Sequence, residues 1–365
     1  MKIKKIVPRV LSWEIEGGFR NPIMTWSHKN VVLVFVICDD GTIGVGECWA
    51  SGADPRALIA TLEEDVAPRL IGADPLSIGK AWEGSDNLAH ISARQGILRA
   101  AIAGIDIALW DIMGKKAGLP VWKLLGGFTD RVFPYASAGL YAPDKTPDDQ
   151  GQEMAEYVAK GFEGVKMKIG GAPFEEDVAR VKAVREAIGP DRRLMIDALC
   201  VMTPHQAMRF GAAVEEYDIY WFEQPVKSDD IRGIATVNQR GPIPVSANEN
   251  AYDRNHFREL IIQDAARFIQ FDLLVLGGLT EGKRIAALAE AWHLPVTLHH
   301  AASVVCMAAN LHLAAGVPNC DSVEYHMLHQ WLFDHAPSGG WTVDNGRIHV
   351  SDEPGLGLDL TPDSF

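Results

Sequence analysis

The chain is short of cysteine, of positive charge and of long apolar runs, and each shortage removes a class of protein. Its five cysteines (Cys38, Cys48, Cys200, Cys306, Cys320) are scattered, odd in number and nowhere spaced CxxC. Such usage fits a reducing compartment and speaks against a disulfide scaffold or a zinc site. Lys and Arg total 34 against 48 Asp and Glu, a formal charge of −14 over 365 residues. Nucleic acid and anionic membrane both need a basic face, so neither is expected as a partner. A small anionic substrate stays open, because a few lysines and a metal reverse the potential locally. The longest strongly apolar run, VVLVFVIC at 31–38, is far too short to cross a bilayer. No apolar stretch follows the charged opening MKIKKIVPRV. A signal peptide is therefore not expected, and a soluble, cytoplasmic protein is.

What is present is an ordinary globular composition, 47% apolar and 22% charged, at a length suited to two domains or one large barrel with additions. The first part reads as strands followed by helices. KIKKIVPRVLSWEI looks like a strand, and NVVLVFVIC and IGVGEC look like two more joined by an Asp-Gly turn. In GILRAAIAGIDIALWDIMGKKAG, apolar residues Ile97, Ala101, Ile105, Ala108 and Ile112 recur at helical spacing, and Gly118 with Pro120 marks a stop. This predicts an α+β unit.

From about residue 131 the rhythm becomes strand, helix, strand, helix. VFPYASA, VKMKI, LMIDA, YWFEQ, IPVSANE, RFIQFDL, PVTLHH and SVEYH are the strand candidates. Thr146-Pro147 and Thr203-Pro204 each offer a helix N-cap followed by proline at the first helical position. Eight such strands predict a (β/α)8 TIM-type barrel. A doubly wound sheet is the competitor, but it wants a Gly-rich phosphate loop after its first strand, and YASAGLYAP is a poor one.

Barrels of this type place their chemistry at the C-terminal ends of the strands. Read only there, the sequence gives Lys166/Lys168, Asp197, Glu223, Glu249, Asp272, His299 and Glu324, with gaps from Lys168 of 29, 26, 26, 23, 27 and 25 residues. One strand-end carboxylate is unremarkable, whereas a run of them at one repeat length marks a site. Asp197, Glu223 and Glu249 on neighbouring strands suit a hard cation with oxygen ligands, Mg²⁺ first and Mn²⁺ as a substitute. Solvated strand ends are the plain alternative, and the apolar strands around these acids oppose it.

Lys166 and Lys168 lie two apart in GVKMKIGG, so strand alternation points both the same way. Like charge and desolvation are expected to push Lys168 toward neutrality, making a general base near pH 7–8. Lys166, left charged, would then neutralise a substrate carboxylate. Asp272 and His299 end adjacent strands and form a candidate hydrogen-bonded dyad, a second acid/base opposite Lys168. His300 follows directly, but alternation sends it to the other face.

KMK, the acids in MIDA, WFEQP and ANEN, Asp272 in QFDLLVLGGLTE, His299 in PVTLHH and Glu324 in VEYH together resemble the enolase superfamily. The Asp–His dyad is similar to that of its mandelate racemase subgroup. The resemblance implies a capping domain of about residues 1–127, completed by about 330–365, over a barrel of about 128–329. It implies a lysine or histidine base with Mg²⁺ stabilising an ene-diolate, a protonated Glu324 helping, and assembly into homo-oligomers. Loops 17–30 and 48–54 would then face substrate, with Arg20 or His28 on polar groups and Trp26 or Trp49 as an apolar wall. Many relatives carry asparagine two residues after the first metal-binding Asp. Here Leu199 stands there and cannot hydrogen-bond through its side chain. GVKMKIGGAPFEED also looks like the corresponding stretch of tartrate dehydratases.

The expected partner is therefore a small carboxylate, a sugar acid. The expected reaction is dehydration to a 2-keto-3-deoxy acid, with racemase/epimerase and cycloisomerase outcomes sharing the same first step. A non-catalytic binding protein on the same fold is the alternative of a different kind.

Overall fold

The computed structural model describes residues 1–50, 54–88, 95–329 and 336–364. Strands β1 (Ile3–Glu14), β2 (His28–Cys38) and β3 (Ile43–Cys48) form an antiparallel sheet in that order. Its alternate residues serve two neighbours. Val32, Val34 and Val36 pack on the cap helices, while Val31, Leu33, Phe35 and Val45 join the barrel core. The long helix α1 (Ile97–Ala117) lies on the first face and stops at Gly118, in the left-handed conformation (φ 64°). Gly46 lets sheet and helix meet backbone to backbone, since a Cβ there would stand 1.8 Å from the Gly104 carbonyl oxygen.

A short strand β4 (Arg131–Val132) leads into the barrel strands β5 (Pro134–Ser137), β6 (Gly164–Lys168), β7 (Arg193–Asp197), β8 (Ile219–Glu223), β9 (Val245–Ala247), β10 (Phe268–Phe271), β11 (Val296–Leu298) and β12 (Cys320–His326). These eight close into one parallel barrel, β12 pairing with β5. Every strand overlaps a segment expected from the sequence, with β6, β7, β8 and β12 starting one or two residues earlier. The helices between them are α2 (Pro147–Ala159), α3 (Phe174–Ile188), α4 (Pro204–Val214), α5 (Ile231–Arg240), α6 (Arg254–Ile262), α7 (Leu279–Glu290) and α8 (Val304–Gly316). Thr146 and Thr203 cap α2 and α4 with reciprocal capping boxes, closed by Asp149 and Gln206. After β12 the described chain makes a single 3₁₀ turn, Met327–His329.

Strands β13 (Val343–Asp344) and β14 (Arg347–His349) add to β4 as a second small sheet. The chain then returns to the cap helix, where Leu356 N donates to Asp111 Oδ1 at 2.9 Å and Val121 N donates to Gly355 O at 2.9 Å.

Inside the barrel, Phe133, Tyr135, Met195 and Trp221 form an apolar floor. Tyr135 meets Trp221 edge-on, ring centroids 5.4 Å apart. Ladder register then sets what stands above. Lys168 pairs with Asp197 and Asp197 with Glu223, so three charged side chains sit level on adjoining strands at the rim.

Candidate active site

The inward lysines of β6 meet acids from the neighbouring strands. Lys166, fully buried, donates to Glu223 Oε1 at 2.6 Å, lies 3.0 Å from Glu324 Oε1 and 3.7 Å from Asp197 Oδ2, and stands over the Tyr135 ring. Lys168 donates to Asp197 Oδ2 in a short ion pair. The other Asp197 oxygen accepts from Leu199 N at 2.8 Å. Leu199 thus contributes its backbone, with φ of 49°.

This arrangement corrects the expected Lys168 titration. Burial is the largest single influence and works against its charge, but Asp197, Glu223 and Glu324 together outweigh burial and Lys166 and hold the ammonium above its ordinary value. Glu324 departs in the same sense. Burial favours its neutral acid, yet Lys166 and His299 hold it well below the usual carboxylate range, so it is ionised rather than protonated. Burial pushes Glu223 up to about 8.

On the other wall, Asp272 caps the short helix Leu273–Leu276, its Oδ1 accepting from Leu274 N at 2.7 Å. Its Oδ2 accepts from His299 Nδ1 at 2.6 Å, which forms the expected dyad. The free face of the imidazole, Nε2, looks toward Glu249 Oε2 at 3.2 Å and Glu324 Oε2 at 3.7 Å. Burial opposes the imidazolium, but Glu249, Glu324 and Asp272 outweigh it and push His299 up to about 10. His300 turns to its own loop, within 3.2 Å of Ser303 O through Nε2. β11 and β6 stand three strands apart in the circle of eight, so Lys168 and His299 rise from roughly opposite walls.

The donor chemistry of Asp197, Glu223 and Glu249 fits a hard divalent cation: all are carboxylates, and Glu223 Oε2 is buried without a hydrogen-bond partner. Among the described residues, however, no three acid, histidine or cysteine side chains converge as a metal cage. Asp197 and Glu223 turn to the lysines and Glu249 to His299.

Beside His299 lies a cavity of about 220 Å³ lined by Trp49, Ile97, Ala100, Glu249, Tyr252 and Val275 among others. Trp49 is the one expected cap residue found there, its ring centroid 6.0 Å from that of His299. Residues 51–53 of the second cap loop lie outside the described residues. Arg20 is engaged with the barrel loops, donating to Gly171 O at 3.1 Å and lying over Tyr141. Trp26 is half-buried within its own loop, where its N–H donates to Phe19 O. His28 is exposed beside Glu14 and Ser27, away from these residues.

Four residues near the site escaped sequence reasoning. Ser137 and His326 end adjacent strands as ladder partners, both buried, with Oγ and Nδ1 lacking hydrogen-bond partners. Lys29 and Glu47 reach down from the cap sheet. The signal for Glu47 was its place as the only charge in IGVGEC.

Fold and site define a parallel barrel whose mouth sets a lysine pair against a His–Asp dyad, around a bank of carboxylates. Residues 150–364 match the family described as Enolase C-terminal domain-like, and residues 7–126 match the N-terminal domain of mandelate racemase / muconate lactonizing enzyme. The chain belongs to the enolase superfamily, among its mandelate racemase-like members. An arabinonate dehydratase of Saccharolobus solfataricus is 35% identical over 92% of this chain and 89% of its own. A D-galactarolactone cycloisomerase of Agrobacterium fabrum is 34% identical over 100% and 98%. The crystal structure of a Streptomyces coelicolor racemase with bound magnesium superposes with a TM-score of 0.89 at 27% identity, covering 98% of this chain and 97% of that one. No helix among the described residues is long and apolar enough to cross a membrane.

Proposed function

We propose that this enzyme is a Mg²⁺-dependent dehydratase of a sugar acid. The observation that carries the reading is the pair of proton-handling groups, Lys168 and the His299–Asp272 dyad, on opposite walls beside a carboxylate bank. When bound by Asp197, Glu223 and Glu249, Mg²⁺ (or Mn²⁺ in its place) supplies Lewis-acid polarisation of the substrate carboxylate. Lys168 or His299, from the fraction that has given up its own proton, removes the proton α to that carboxylate, according to the stereochemistry of the substrate. The C–H electrons move into the ene-diolate, where the Lys166 ammonium neutralises charge as it develops. Ionised Glu324 orients Lys166 and His299. The β C–O bond then breaks, His299 protonates the departing hydroxyl, and water leaves. The resulting enol takes up a proton as the 2-keto-3-deoxy acid. Similarity to a named arabinonate dehydratase supports this outcome.

The second reading is a cycloisomerase of a sugar lactone or anhydro acid. One observation favours it: the cavity beside His299 is walled by Trp49, Ile97, Ala100 and Val275, an apolar face suited to the C–H face of a ring. Similarity to the named cycloisomerase extends over 100% of this chain and 98% of that one.

A panel of aldonates, aldarates and their lactones, incubated in D₂O, separates the readings. α-Deuteration with keto acid trapped by semicarbazide is expected. Lactone turnover without keto acid selects the cycloisomerase, and clean inversion selects a racemase. Neither Mg²⁺ binding nor exchange with any substrate would return the chain to the non-catalytic alternative.

A further inference from the structure

The cap sheet reaches the dyad through two buried charges. Lys29 and Glu47 lie on the barrel-facing rows of β2 and β3, in line with Val31 and Val45, and are 3% and 1% exposed. Lys29 Nζ donates to Ala301 O at 2.5 Å, two residues beyond His299. Glu47 Oε2 accepts from Ser303 Oγ at 2.6 Å, from Ser303 N at 3.2 Å and from Cys306 N at 3.0 Å. Those donors are the N-cap and first turn of α8, where unsatisfied N–H groups favour an anion. From the second turn of the same helix, Asn310 Nδ2 donates to the carbonyl oxygen of His299 at 2.9 Å. The chain of contacts therefore runs from cap to helix to histidine backbone, while Asp272 holds the ring.

We propose that Lys29 and Glu47 are positioning residues for His299: by clamping residues 301–306, the loop end and first turn of α8, they set how far its Nε2 reaches toward the substrate α-carbon. The inference rests on the proposed α-proton abstraction. Its physical basis is that a general base works only within hydrogen-bond reach, and a misplacement of about 1 Å costs on the order of 100-fold. Lys168 stands on β6, where Asp197 holds it. The two faces of the substrate should then respond differently. Simple loss of cap docking would impair both.

The test uses the full chain with Mg²⁺ and pairs of C2-epimeric aldonates, each epimer reporting one base through α-deuterium exchange read by NMR. Lys29→Met keeps the stem and removes the donor. Glu47→Gln keeps the shape and removes the charge. Each is expected to lower exchange at the His299 face by about tenfold or more and to leave the Lys168 face within about twofold, with Mg²⁺ affinity by calorimetry unchanged. The two variants guard each other, since either one that folds by circular dichroism suffices. Equal loss at both faces assigns the pair to cap docking and overturns the proposal, and so does no loss at either face. Absence of exchange by the wild type with every pair overturns the proposed function instead, and this inference falls with it.

Discussion

Asp272→Asn tests the dyad with little disturbance elsewhere. The substitution keeps Oδ1, which accepts from Leu274 N at 2.7 Å, and asparagine caps a helix about as well as aspartate. Through the cap, stability should therefore change by less than about 1 kcal/mol. At Oδ2 the change is severe. An amide nitrogen there faces His299 Nδ1 at 2.6 Å, donor against donor, unless the imidazole gives up its Nδ1 proton and keeps the one on Nε2. Nε2 is the atom that looks into the mouth toward Glu249 and Glu324, so the neutral ring then presents a hydrogen where the base needs a lone pair. Losing one hydrogen bond to a charged partner, ~1.5–3 kcal/mol, slows the step roughly 10- to 150-fold, and the wrong tautomer adds to it. The assay is α-deuterium exchange at the His299 face, with the Lys168 face as internal reference. Exchange at the His299 face within about threefold of wild type, in a folded variant, would refute the dyad. Equal loss at both faces would show a general disturbance of the mouth.

Lys168→Met should abolish exchange at the other face and leave calorimetric Mg²⁺ binding intact; surviving exchange there would leave His299 as the only base. Glu223→Gln removes a carboxylate with a buried, unpartnered oxygen and should weaken Mg²⁺ binding by tenfold or more (about 1.4 kcal/mol). Asp106 gives a pH prediction. Burial raises its carboxyl from 3.8 to about 7, against two hydrogen bonds from Thr280. Between about pH 4 and 7 the folded chain therefore holds a proton that the unfolded chain releases, and stability falls as pH rises through that window. Asp106→Asn has no such proton, so its thermal midpoint should lose less between pH 5 and 7.5 than that of wild type. An unchanged difference would show that Asp106 is ionised throughout.

The barrel and its rim were legible because the repeat writes them twice, once as strand–helix rhythm and once as an ionisable residue at each strand end. Alternation also gave the inward aim of both lysines and the outward turn of His300. What sequence spacing could not give is partnership across elements. Ser303 and Glu47 are 256 positions apart, and only the docking of cap on barrel brings them together. His28, expected near substrate, shares its strand with Lys29, which does reach the barrel. One step of alternation decides between them, and the start of β2 had no pattern to fix its phase.

The lysine pair shows how far a local argument carries. Within GVKMKIGG only like charge and burial are visible, and both favour a neutral Lys168. The ladder adds what the strand cannot contain: Asp197, 29 positions on, stands beside Lys168 as its register partner. A contact ion pair in a buried site outweighs a second ammonium farther along the same strand, because Coulomb energy falls with distance while burial raises its strength. The sign of the shift therefore belongs to the other strands, to Asp197 together with Glu223 and Glu324. The same reasoning explains Glu324, which looks like an isolated acid in SVEYH and is instead held ionised between Lys166 and His299 from two other strands. In a closed barrel, each rim residue takes its charge state from strands beside or across from it, so the protonation pattern is a property of the register and not of the segment.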